Sequence, residues 1–310
     1  MDSQATQKKV ELPDQSDGVS SMKIDPKRVL PYIFIHGGCL AVIWVGWSWF
    51  AVAAAVFLYV VRMFAITAFY HRYFSHRAFK ANRLMQFIFA VWGHTSMQGG
   101  ALWWAANHRH HHNHSDETHD KHSPVQSGFW FAHIGWLFYP ENFSTDYQKV
   151  KDYAKFPELV FLNRYDYIVP LAYGAMLLGL GALLESYFPG LGTNAWQLFV
   201  WGFFISTVVL LHGTLFINSL AHVWGSRRFE TEDDSRNNFL LALITLGEGW
   251  HNNHHRYQHS AQQGFYWFEV DLSYYALRAM EKLGLIYDLK PVPARIYDEA
   301  GQQKKARIGK

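Results

Sequence analysis

Four stretches of this chain, about residues 30–47, 50–70, 167–187 and 196–222, are apolar for long enough to cross a bilayer as helices. A hydrocarbon core of about 30 Å takes roughly 20 residues at a rise of about 1.5 Å each. Arg62 is the only charge inside the first two stretches, which are separated around Gly46, Trp47 and Trp49. Pro189 and Gly190 close the third. The expected fold is all-α, an integral membrane protein with four transmembrane helices and a cytosolic helical cap. The 13 Trp and 17 Tyr, high for a soluble chain, suit bilayer interfaces. Mean hydropathy is only -0.11, so a substantial polar part must lie outside the membrane.

The polar remainder sets the expected domains. Residues 1–28, rich in Ser, Gln, Asp and Lys, lack the apolar core of a signal peptide and read as a disordered cytosolic arm. Residues 29–290 form the membrane domain, with the cap drawn from 71–166 and 223–290. Residues 291–310, rich in Lys and Gln, read as a flexible tail. Lys and Arg crowd the arm, the region 72–164 and everything after 226, and are absent from the linkers between spans one and two and between three and four. By the positive-inside rule both termini and the cap are cytosolic. Residues 84–106 are apolar but interrupted by His94, Gln98 and glycines, which predicts a helix lying partly in the interface. A formal charge of +3 is too small to argue for nucleic acid.

Histidine carries the chemistry. HRYFSH at 71–76, HRHHH at 108–112 and HNNHH at 251–255 each border an apolar stretch, on the same predicted side of the membrane. Neutral imidazole suits iron, zinc or copper, and eight imidazoles are too many for one ion. Cys39, the only cysteine, leaves no other metal-binding side chain in quantity. On an α-helix HxxHH gathers its three rings within an arc of about 100°, so His108, His111 and His112, and likewise His251, His254 and His255, can serve neighbouring ions. His71 and His76 diverge by about 140° on an ideal helix, so the second span is expected to end or bend there. Thr214, Asn218 and His222 recur every four residues and predict a polar stripe facing the protein interior. His222, at the cytosolic end, is a candidate ligand, whereas Thr214 is equally explained by helix-helix hydrogen bonding. Core, surface or supporting roles are the expectation for His36, His94, His110, His114, His119, His122, His133, His212 and His259. The segment DETHDKH is a candidate to hydrogen-bond ligands from behind.

In this order and between these spans, HRYFSH, NHRHHH followed by DETHDKH, NSLAH and GEGWHNNHH closely resemble the membrane acyl-CoA desaturases of the stearoyl-CoA 9-desaturase type, over about residues 30–285. The resemblance implies a di-iron centre of two Fe2+ ions. One iron takes His71, His76, His108, His112 and His254, the other His111, His222, His251 and His255, and Asn218 reaches an iron through water. It further implies that Gln98, Trp104 and Thr214 line the bend of a substrate tunnel beside the metals. The activity implied is a dioxygen-dependent insertion of a cis double bond between the ninth and tenth carbons of a saturated acyl chain, carried as an acyl-CoA.

Physical chemistry agrees with that implication. Taking hydrogen from an unactivated methylene needs an oxidant no side chain supplies, so a metal centre must activate dioxygen. A saturated tail offers nothing to hydrogen-bond, so regiochemistry falls to an apolar tunnel of fixed depth. No haem-binding HPGG and no four-cysteine iron site occurs, so electrons must come from a separate ferredoxin, rubredoxin or cytochrome b-type protein with its reductase. Arg109, Lys151, Lys155 and Arg164 are candidates to contact an anionic carrier. Asn107 stands where an acidic residue is common in animal members, which leaves a CoA thioester and a lipid-linked acyl chain both open. A membrane di-iron hydroxylase of fatty acids or alkanes is the alternative, separable by its product. A metal transporter or sensor would need ionisable groups along a path through the bilayer, and only Arg62, His212 and the Thr214 stripe offer any. The soluble di-iron carboxylate class needs paired ExxH motifs, and only Glu248 with His251 clearly fits.

Overall fold

The computed structural model describes residues 23–308, with side chains as far as Lys304, so most of the expected arm lies outside the described residues. Among the described residues there are helices and isolated bridges but no strand. Four helices are long and apolar enough to cross a membrane: Pro26–Val45, Trp49–Ser75, Ile168–Tyr187 and Ala195–His222. The starts of three of them are encoded locally. Asp25 accepts a hydrogen bond from the Lys27 amide ahead of Pro26, Ser48 Oγ accepts from Ala51 N and Asn194 Oδ1 from Gln197 N. Each satisfies an orphan amide of a helix start. The outward faces carry exposed apolar side chains such as Trp44, Trp49, Phe57 and Leu171, as a lipid-facing bundle requires.

The second span continues five residues past the expected end at residue 70. Ala65–Ser75 is a π-helix, and His76, which follows it, donates its amide to His71 O at 3.2 Å. With i→i+5 bonding, residue 76 returns above residue 71 instead of swinging to another face. This resolves the 140° divergence of an ideal helix without unwinding the chain.

Residues 84–106 do not form one interfacial helix. They divide into Arg83–His94 and the start of Ala101–His114, separated by a turn in which Met97 and Gly99 have φ of 57° and 74°. His94 is buried, bonded to Tyr70 Oη at 2.9 Å and to Leu162 O at 3.1 Å. The helix Ala101–His114, which carries the second histidine cluster, has Gly100 at its start and no side-chain cap of its own. Asn163, on Pro157–Arg164, supplies the cap instead, its Oδ1 accepting from Trp103 N at 2.8 Å. Beneath this helix a core of Phe69, Phe74, Phe79, Phe89, Leu102 and Ala105 packs it onto the π-helix. Phe69 and Phe89 stack at 3.9 Å, each fully buried and contributing roughly 1.5–3 kcal/mol.

The described part of the tail, expected from its composition to be flexible, packs against the cap. Ala294–Ile308 is a helix whose Ile296 and Ala300, one turn apart, pack against Phe229 and Phe265. Its Glu299 pairs with Arg256, the last residue of the helix carrying HNNHH. Within the bundle, His36 and His212 meet at 2.9 Å, and His212 meets His133 at 2.9 Å, tying spans one and four to the short helix Phe129–His133. Arg62 is buried and donates to Thr207 Oγ1 at 2.7 Å, Ser206 Oγ at 2.6 Å and Thr95 O at 3.0 Å.

Candidate metal centre

Three chain segments and the end of the fourth span bring nine imidazoles together in two groups. His71, His76, His108, His112 and His254 form one, His111, His222, His251 and His255 the other, and within each the ligand nitrogens all lie within 4.8 Å of one another. The Nε2 atoms of His71 and His254 are 3.0 Å apart, those of His76 and His108 2.8 Å, those of His254 and His112 2.9 Å, and those of His222 and His251 3.1 Å. The groups adjoin, with the His112 and His255 rings 4.4 Å apart. The helix Ala101–His114 spans both, giving His108 and His112 to one and His111 to the other.

Four of the nine are oriented from behind by carboxylates. His71 Nδ1 donates to Glu248, His111 Nδ1 to Asp120 at 2.9 Å, His222 Nδ1 to Asp116 at 2.8 Å and His255 Nδ1 to Asp233 at 2.5 Å. This fixes the tautomer: an imidazole that gives its Nδ1 proton away presents Nε2 as a lone pair. Lone pairs converging at about 3 Å in a buried site repel unless a cation sits among them, and the donor set is one that a transition metal accepts. The nine residues therefore fit a pair of metal ions. Asp116 and Asp120 come from DETHDKH, whereas His119 of that segment only accepts, through its carbonyl, from His110. Asp233 and Glu248 carry no spacing signal that marks them as partners.

Protonation states favour ligation. Burial, reinforced by neighbouring imidazoles, holds His76, His108, His112, His251 and His254 well below the ordinary imidazole range. Burial also lowers His255, to about 4, against the pull of Asp233. His111 is raised, because Asp120, Asp116 and Asp233 outweigh its burial. Burial would raise Asp116, but the hydrogen bond from His222 brings it to about 2. Neutral imidazoles and ionised carboxylates are the forms in which metal binding displaces fewest protons.

A narrow slot lies against both groups, lined by Met63, Ile66, Trp104, Thr214, Ile217 and Asn218 together with His71, His108 and His251. Trp104 stacks on His108 at 4.9 Å. Gln98 donates to Thr214 Oγ1 at 3.0 Å, which brings it to the same wall. Behind His76 a second, open cleft of about 580 Å³ is lined by Tyr73, Tyr257, His259, Arg77, Lys80 and Lys290. His122 is buried against Trp136 and groups with His111 and Asp120. Arg109 is not available to a carrier: it holds Asp152 with two bonds and donates to Phe74 O, Ser75 O and Lys149 O, clamping the cluster helix to the end of the second span.

Gly249 shows how tightly HNNHH is seated. A Cβ there would fall 2.1 Å from Ala242 N and 2.4 Å from Asn238 O, both backbone. Gly249→Ala is expected to displace His251 and lower metal content and thermal stability together; a variant with unchanged metal content and melting temperature would contradict this.

The chain matches the Fatty acid desaturase family over residues 47–288. It is 36% identical over 266 residues to the sn-1 stearoyl-lipid 9-desaturase of Anabaena variabilis, covering 85% of this chain and 93% of that protein. It is 36% identical over 276 residues to Delta-9 acyl-lipid desaturase 1 of Arabidopsis thaliana, covering 86% and 84%. Identity is also 36% over 255 residues to the Acyl-CoA C20 Delta5-desaturase of Anemone leveillei, covering 81% and 76%.

Proposed function

The chain belongs to the fatty acid desaturase family, and from that premise we propose that it inserts a cis double bond between the ninth and tenth carbons of a saturated acyl chain, using dioxygen and a histidine-held pair of irons. The observation that carries this reading is the slot: apolar side chains and the open faces of two imidazole groups share one wall. Two Fe2+ ions held by the nine histidines would supply the oxidant that an unactivated methylene requires. The protein's own residues do the rest. Met63, Ile66 and Ile217 offer the acyl chain only apolar contact, so its position is set by depth. Gln98, through Thr214, holds one polar point of that wall, which Thr67, Asn218, Thr245 and Glu248 also line. Asn218, which lines the same slot as His71 and His251, would reach an iron through water.

A CoA thioester and a lipid-linked chain are the two carriers for which similar proteins are named. We take the lipid-linked form as the leading substrate, since Arg109 is consumed by Asp152. Electrons enter from a separate ferredoxin, rubredoxin or cytochrome b-type protein, and an open cleft lined by His76, Arg77, Lys80 and Lys290 lies on that side of the five-histidine group. The protein crosses the membrane four times, with both termini and the metal site cytosolic.

Expression in a host deficient in unsaturated fatty acids, followed by mass spectrometry of double-bond position, tests this. A 9-monounsaturated product found first in intact lipids is expected. A hydroxylated product without alkene would instead establish the hydroxylase reading.

A further inference from the structure

The two metal positions are surrounded by unequal charge. In the four-histidine group, three ligands donate Nδ1–H to carboxylates, Asp120, Asp116 and Asp233. These carboxylates also accept from Ser123 Oγ and the Asp234 amide (Asp116), the Asp116 and His122 amides (Asp120), and the Ser235 amide and hydroxyl (Asp233); the His122 ring lies 3.8 Å from Asp120, and Arg227 reaches the main-chain carbonyl of Asp233. In the five-histidine group one ligand, His71, has a carboxylate behind it, and that carboxylate, Glu248, is shared with the buried guanidinium of Arg72. Three imidazole–carboxylate pairs stand against one, and the carboxylate of that one shares the Arg72 guanidinium with Asp271.

A carboxylate behind a ligating imidazole makes it a stronger donor, and uncompensated negative charge in a buried site favours the more highly charged ion. Given the two-iron reading, on which this rests, we propose that the four-histidine position is the tighter of the two and the first to be oxidised. On one-electron oxidation by added ferricyanide, the iron at that position passes from Fe2+ to Fe3+ and ferricyanide becomes ferrocyanide. The iron held by His71, His76, His108, His112 and His254 stays ferrous. Asp116 and Asp233 thus act as positioning residues that differentiate the metals, and the extra ligand of the five-histidine position does not make it the stronger one.

The holoenzyme tests this through iron release to a ferrous chelator, followed by colour. The wild type should lose its irons in two phases. Asp116→Asn/Asp233→Asn should speed the slow phase by about 10–100-fold, and Glu248→Gln should speed only the fast one. Asparagine keeps an acceptor for Nδ1–H while removing the charge; if the double variant does not fold, Asp116→Asn alone should show the same selectivity. Mössbauer spectra after half-equivalent oxidation give a second readout, in which Asp116→Asn should perturb the ferric doublet and Glu248→Gln the ferrous one. Release in a single phase, or aspartate variants that speed only the fast phase, overturns the inequality while leaving the two-iron reading intact. Fewer than two irons per purified wild-type chain overturns that reading itself.

Discussion

Replacing His112 or His255 by alanine abolishes product formation and removes bound iron, from roughly two per chain to one or none. The expected loss is total because each ring is a member of a compact nitrogen set whose atoms all lie within 4.8 Å of one another. His112 Nε2 lies 2.9 Å from His254 Nε2 in one group, and His255 packs 4.3 Å from His251 in the other. Alanine leaves the neighbouring lone pairs without a centre to bind. Iron by elemental analysis and product by mass spectrometry check it together. Full activity in either variant would sink the metal assignment, and lost activity with full iron would move these residues out of the ligand set.

Arg72→Ala is expected to cost about 3–5 kcal/mol of stability, the range for breaking a buried ion network by removing one partner. Arg72 is almost completely buried and donates to Glu248 Oε1 at 3.1 Å, Asp271 Oδ2 at 3.2 Å and Ala261 O at 2.8 Å. Without it two buried carboxylates face each other uncompensated. Burial would raise Glu248, but His71 and then Arg72 hold it below its ordinary value. A carboxylate so depressed contributes stability above its unfolded value, and that contribution is lost as pH falls through the lower folded value. In the variant the carboxylate shifts upward, so the penalty is largest at neutral pH and shrinks on acidification. Thermal melts at several pH values decide the matter: a deficit that grows as pH falls would contradict the network. Arg72→Lys should rescue only part, since an ammonium cannot fork between Glu248 and Asp271.

Hydropathy made the four long helices legible, because a bilayer-length apolar run has few other uses. Motif spacing made the histidines legible for a similar reason: HxxHH at 108–112 and 251–255 is a helical face written in sequence. The π-helix at Ala65–Ser75 was not legible, since nothing local distinguishes its residues from an ordinary apolar helix end, and only the requirement that His71 and His76 converge hinted at a departure. Residues 84–106 were misread because apolar content outweighed the Gly99-Gly100 pair that breaks them. The tail misled in the opposite direction: its Lys and Gln content masks a two-residue apolar contact, Ile296 and Ala300, that only tertiary packing can use. Arg109 looked like a surface cation because its partner Asp152 is 43 residues away. Asp233 and Glu248 were invisible for the same reason, each being defined by a ring brought to it from elsewhere in the chain.

The π-helix places the chain's length itself under constraint. A segment bonded i→i+5 holds a surplus residue relative to an α-helix of the same span. Deleting one residue between 65 and 70 would let the segment relax to ordinary helical bonding, with no loss of hydrophobicity and a gain in intrinsic helix stability. It would also rotate His76 by about 100° relative to the upstream bundle and carry it off its partners. The second span can therefore tolerate changes of residue type far better than changes of residue number, and its indel intolerance should be sharpest just ahead of His71.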